Sequence, residues 1–123
     1  MKKECVILIM EPERIIGLEL QVLLENDGYS VLQYNAAKLA DELKNKQKIK
    51  IIIVNIDKAK ADDFLYIKNN FCPSEVSVIG ISSGKQVKKE IEGVSLTETF
   101  LKPFESKHIL SFINKCCAVS TFK

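Results

Sequence analysis

The chain has 123 residues, 46% of them apolar and 28% charged, which is the composition of one globular domain with one core. Eighteen Lys and Arg against sixteen Asp and Glu leave a formal net charge of +2 spread along the chain, which excludes an electrostatic case for a nucleic-acid or anionic-membrane ligand. No run approaches the ~20 apolar residues of a membrane span, so a cytoplasmic protein is expected.

The opening MKKECVILIMEPER sets two lysines before an apolar run, but Cys5 to Met10 is shorter than the ~7 to 15 residues of a secretory core and reads as a strand. A helix follows from Glu13 to Asn26. One face of it carries Ile16, Leu20, Leu23 and Leu24 and must meet the sheet, while Ile15, Leu18 and Val22 form a second stripe directed to solvent, a candidate contact face. Next come a strand at Ser30 to Tyr34, a helix at Ala36 to Lys44 whose end and the lysines up to Lys50 are solvated, and a strand at Lys50 to Ile56. The second half gives a helix at Asp62 to Asn70, a strand at Val76 to Ile81, a short helix at Lys85 to Ile91, a strand at Thr97 to Leu101 and a helix at Glu105 to Cys117, with 118–123 as a tail.

Five strands alternating with helices imply a doubly wound α/β layer sandwich, and their near-continuous apolar runs imply a parallel sheet covered on both faces. Cys5, Cys72, Cys116 and Cys117 lack metal-type spacing, so a reduced chain is expected, with the adjacent pair Cys116 and Cys117 serving as packing residues. His108, early on the last helix and without an acidic or cysteine cluster around it, reads as solvent-facing.

In doubly wound sheets the chemistry lies beyond the carboxyl ends of the strands. Those ends carry Glu11, Pro12 and Glu13, then Asn55 and Asp57, then Ser82 and Ser83, then Lys102 and Pro103. A phosphate loop for a flavin would be rich in hydroxyls and glycines, and EPERIIG is not.

These residues resemble the receiver domains of two-component response regulators over nearly the whole chain. ILIMEPERIIGLELQVLLENDGYSV is similar to the family's opening strand, acidic loop, first helix and Gly-Tyr turn, and FLKPF to its lysine–proline turn, where a cis peptide before Pro103 is implied. Ser83 to Leu96 departs from the pattern. The resemblance implies a flavodoxin-like, single (βα)5 five-stranded parallel sheet of strand order 2-1-3-4-5, covering 1–123 as one domain. It further implies transfer of a phosphoryl group to an aspartate after strand three, with Mg²⁺ held on acids after strand one. Asn55 falls on that aspartate, Pro12 on the usual direct metal ligand beside Glu11, Ser82 and Lys102 on the groups that contact the phosphoryl oxygens, and Thr99 on the switch aromatic.

An amide lacks the charge and nucleophilicity to attack phosphorus, and proline offers Mg²⁺ no ligand. The pocket is therefore expected to be degenerate for phosphorylation, with no cofactor and no enzymatic activity. Asn55 is expected to donate to Glu11 and accept from Lys102, or to cap its own loop. In the alternative reading, Asp57 is a displaced phosphoacceptor and Glu11, Glu13 and Asp57 hold Mg²⁺ weakly. The expected partner is a protein of a signalling pathway, a histidine kinase, an output protein or a second copy.

Overall fold

Aliphatic and β-branched runs dictate the sheet. The computed structural model describes residues 5–34, 48–84, 89–102 and 105–121, with side chains through residue 117. In chain order the elements are β1 (Val6–Met10), α1 (Arg14–Asn26), β2 (Ser30–Gln33), β3 (Ile49–Asn55), α2 (Ala61–Asn70), β4 (Ser77–Ser82), β5 (Glu90–Ile91), β6 (Val94–Ser95), β7 (Glu98–Leu101) and α3 (Ser106–Thr121). Five strands form one parallel sheet in the order β2-β1-β3-β4-β7, which is the flavodoxin-like order 2-1-3-4-5 expected from the sequence. The expected helix at Ala36 to Lys44 lies outside the described residues.

Side chains alternate across the sheet, so the central strands β1, β3 and β4 feed two cores. Ile7, Ile9, Ile51, Ile53, Ile79 and Ile81 meet Leu20 and Leu24 of α1 and Ile109 and Ile113 of α3 on one face. Leu8, Met10, Ile52, Val54 and Val78 meet Phe64 and Ile67 of α2 and Val94 of β6 on the other. Burying each such side chain fully contributes ~1.5–3 kcal/mol. Helix α1 ends at Gly28, whose φ of 94° lets the Tyr29 N–H turn back to the Leu24 carbonyl at 3.1 Å. That turn buries Tyr29, whose hydroxyl donates to Asn114 of α3 and ties the two helices of this face together.

Three expectations are corrected. The short helix at Lys85 to Ile91 is contradicted in its described part, because Glu90 and Ile91 form β5 and pair antiparallel with β6. Glu92 and Gly93, at φ 50° and 82°, make the two-residue turn with both φ positive that suits a twisted hairpin. The helix expected to end at Cys117 runs on to Thr121, so 118–121 is not a tail. The chain is not fully reduced: Cys5, just before β1, is disulfide-bonded to Cys117 of α3 across 112 residues of sequence, with Cα atoms 6.3 Å apart. Helix α3 packs over β1 and sets the two positions within bridging range, a proximity that local spacing does not encode. Cys116 stands outside the bridge, and burial pushes its thiol pKa up.

Alkylation of the denatured, unreduced protein is expected to label Cys72 and Cys116 and spare Cys5 and Cys117, with all four labelled after reduction. Reduction is expected to lower stability by about 2–4 kcal/mol, the usual effect of opening a long loop, as read by denaturant titration. Four labels without reductant would show that the bridge does not form.

Candidate functional site

The register of the sheet assembles the site. Met10 pairs with Val54, Asn55 with Ile81 and Ser82 with Leu101, so the residues just past these strand ends share one rim. At its centre Asn55 is the polar terminus of an apolar strand and is only 2% exposed. A buried amide must find partners, and this one finds them on both sides. Its Nδ2 donates to both Glu11 carboxylate oxygens, at 3.1 and 2.9 Å, and its Oδ1 accepts the Asp57 backbone N–H at 3.1 Å. Glu11 Oε1 also accepts the Glu13 N–H at 2.9 Å, which steadies the entry to α1 where Glu13 itself provides no side-chain cap.

Asp57 is the second hub. Ser82 Oγ donates to its Oδ1 at 2.7 Å, while the Ser83 N–H and Ser83 Oγ donate to its Oδ2 at 2.6 and 2.8 Å. The Ser82 hydroxyl in turn accepts the Gly84 N–H at 2.9 Å. The Ser83 amide, then the Ser82 hydroxyl, hold the Asp57 pKa below its ordinary 3.8, with smaller help from the Ser83 hydroxyl and the charge of Lys102. Glu13 forms an ion pair with Lys58, which lowers the Glu13 pKa and raises that of Lys58, chiefly through their hydrogen bond.

Asn55, Glu11, Asp57 and Ser82 are thus brought together as their chain positions suggest. Asn55 donates to Glu11 as expected, but its acceptor atom goes to the Asp57 N–H, not to Lys102, so the loop-capping role and the strut role are combined in one amide. Lys102 joins the site through its backbone N–H, which donates to the Ser82 carbonyl at 2.8 Å, and through its charge. Pro12 is exposed between Glu11 and Glu13, and Pro103, with its implied cis peptide, lies outside the described residues. Thr99 is half-buried on β7, and His108 is exposed, 3.9 Å from the Glu105 carboxylate. The anion-holding role of Ser83 and the pairing of Lys58 with Glu13 escape a reading by strand ends. The Ser-Ser-Gly run after an apolar strand is the signal for the first, since it offers hydroxyls and exposed amides together.

The donor set fits a metal poorly. Glu11 is committed to Asn55 and the Glu13 amide, Glu13 to Lys58, and Asp57 to three donors, while Pro12 has no side-chain ligand atom. Among the described residues no group of three His, Cys, Asp or Glu side chains converges as a metal site. On α1 the stripe of Ile15, Leu18 and Val22 is 74%, 46% and 56% exposed, whereas Leu20 and Leu24 are buried against the sheet. Among the described residues no helix is long and apolar enough to cross a membrane.

No protein-family model and no curated protein matches the chain. Solved structures do match in fold. A response regulator from Thermotoga maritima aligns over 96% of this chain and 99% of its own, with a TM-score of 0.68 at 21% identity. An orphan response regulator of H. pylori aligns over 95% and 99%, with a TM-score of 0.69 at 17% identity. A response regulator receiver domain protein from Methanospirillum hungatei aligns over 97% and 96%, with a TM-score of 0.67 at 14% identity. The sheet order and these alignments agree that the chain has the fold of response-regulator receiver domains.

Proposed function

We propose that this chain is a receiver-like signalling module that works without aspartyl phosphorylation, as a protein-interaction domain of a two-component pathway in the cytoplasm. One observation carries the reading: the Asp57 carboxylate already occupies Ser82 and Ser83, while the position expected of the nucleophile holds the amide of Asn55. Phosphoryl transfer depends on a placed nucleophile and on cations that gather the transferring oxygens. Asn55 supplies no nucleophile, and the acids that would hold Mg²⁺ are engaged with other partners.

The site then contains its own anion. Ser82 Oγ, the Ser83 N–H and Ser83 Oγ converge on a carboxylate of this chain, in the place where the resemblance puts phosphoryl oxygens, with Lys102 adding charge. Such a pocket has one filled state, and the module's role passes to the surface it presents to a histidine kinase, an output protein or a second copy. The second reading, phosphorylation of Asp57 with Mg²⁺, is favoured by the ionised state of that acid at the rim. It requires Asp57 to free one carboxylate oxygen for attack, Oδ1 from Ser82 or Oδ2 from Ser83.

Incubation with acetyl phosphate and Mg²⁺ is expected to leave the intact mass unchanged. A stoichiometric phosphoryl adduct mapped to Asp57 would establish the second reading instead. Rebuilding the pocket separates its two deficits. Asn55→Asp alone is expected to stay poorly phosphorylated, and Asn55→Asp with Pro12→Asp to bind Mg²⁺ and accept the phosphoryl group, as measured by titration and mass. Equal labelling of the single and double variants would show that Pro12 is no obstacle.

A third test follows from the depressed pKa of Asp57. Because its folded value lies below 3.8, its stabilisation is complete above that pH and is lost as pH falls through the folded value. Asp57→Asn is expected to melt at a lower temperature than wild type at pH 7, and the gap to narrow as the pH falls from 3.8 through the lower folded value. A gap independent of pH would mean that the carboxylate's charge contributes nothing.

A further inference from the structure

We propose that α1 pairs with the α1 of a second copy of this chain, antiparallel about a two-fold axis that crosses the helix beside Leu18. The proposal rests on the interaction-module reading and names its partner. Ile15, Leu18 and Val22 are exposed to 74%, 46% and 56%, in a chain whose other described helix face at α1 is fully used by the core. Three aliphatics on consecutive turns form a ridge that a second helix covers.

The charges beside the ridge select the occupant and its direction. At about 100° per residue, Arg14 and Glu25 fall on the same flank, within roughly 40° of Leu18, while Glu19 falls about 100° away on the other flank. Arg14 stands at the amino end of that flank and Glu25 at the carboxyl end, separated by about 16 Å. A two-fold axis across the helices lays each flank against the same flank of the partner with its direction reversed. Arg14 then meets the partner's Glu25, Glu25 meets the partner's Arg14, and Ile15 lies opposite the partner's Val22 around a central pair of Leu18 side chains. A parallel pairing lays unlike flanks together and gives Arg14 no acid at its own height.

Both charged groups are available for such pairing. Among the described residues Arg14 has no ion-pair partner, and the Glu25 carboxylate accepts only a long 3.4 Å hydrogen bond from Gln21. A surface that is apolar along its middle and carries opposite charges at the two ends of one edge is self-complementary, which is the condition for a closed two-fold contact. One helix face buries less than about 1,200 Å² in total, so the association is weak and appears at high concentration.

Sedimentation equilibrium of the full chain, from micromolar to millimolar, tests the proposal. Wild type is expected to pass from monomer to dimer, and Leu18→Glu to raise the dissociation constant roughly tenfold or more, since it sets two carboxylates at the centre of the contact. Arg14→Glu and Glu25→Arg are each expected to weaken the dimer, and the double reversal Arg14→Glu/Glu25→Arg to restore it, all with melting temperatures within about 2 °C of wild type. A wild type that stays monomeric at millimolar concentration, or a dimer indifferent to Leu18→Glu, overturns the proposal. A double reversal no tighter than either single change overturns the antiparallel pairing. None of these results bears on acetyl phosphate labelling, so failure of the dimer and failure of the phosphorylation-silent reading are read separately.

Discussion

Everything at the rim depends on the register of β3 between β1 and β4. The strand is buried along almost its whole length, and its residues from Ile51 to Val54 face both cores with essentially no exposure. A slip of one residue would exchange the two faces and carry Asn55 away from the level of Ile81. The isoleucine run therefore does two things at once. It contributes much of the apolar burial, and it fixes the height at which the first polar side chain emerges.

From that height the polar network is a matter of satisfying buried groups. Asn55 has two amide hydrogens and a carbonyl oxygen to place, and Glu11 and the Asp57 amide take them. Asp57 is turned toward the end of β4, where the Ser82 and Ser83 hydroxyls and the Ser83 N–H donate to its carboxylate. Lys58, the next residue, reaches back to Glu13 on the far side of the pocket. Two adjacent residues thus brace opposite walls, and the loop after β3 is held from both. At the buried centre, removing Glu11 would leave the Asn55 amide out of water without a partner, which is the costly direction, whereas Asp57, Lys58 and Glu13 keep access to solvent.

What the sequence made legible follows the range of the interactions. The parallel sheet, its order, the buried face of α1 and the Asn55 contact with Glu11 are carried by strong local patterns and by the resemblance. The hairpin was hidden because a glycine such as Gly93 signals a helix end as well as it signals a positive-φ turn, and the two-residue strands are too short to show a period. The disulfide was hidden because its partners are 112 residues apart and meet only once α3 has docked over β1. The Asp57 hub was half visible. Its acid was marked as a rim residue, but its choice of Ser82 and Ser83 over solvent depends on the height difference between two strands, which no linear reading supplies.

The carboxylate of Asp57 has one further consequence. A group delivered to a pocket by a donor has an occupancy that rises with supply and a lifetime that ends with hydrolysis. An anion belonging to the chain has neither property: it is present once in every molecule, from the moment of folding, whatever the donor concentration. On the phosphorylation-silent reading proposed above, a module filled in this way would carry no memory of a stimulus and no clock. The strength of its message would then be graded by the number of copies made and removed, so that synthesis and degradation would become its dial.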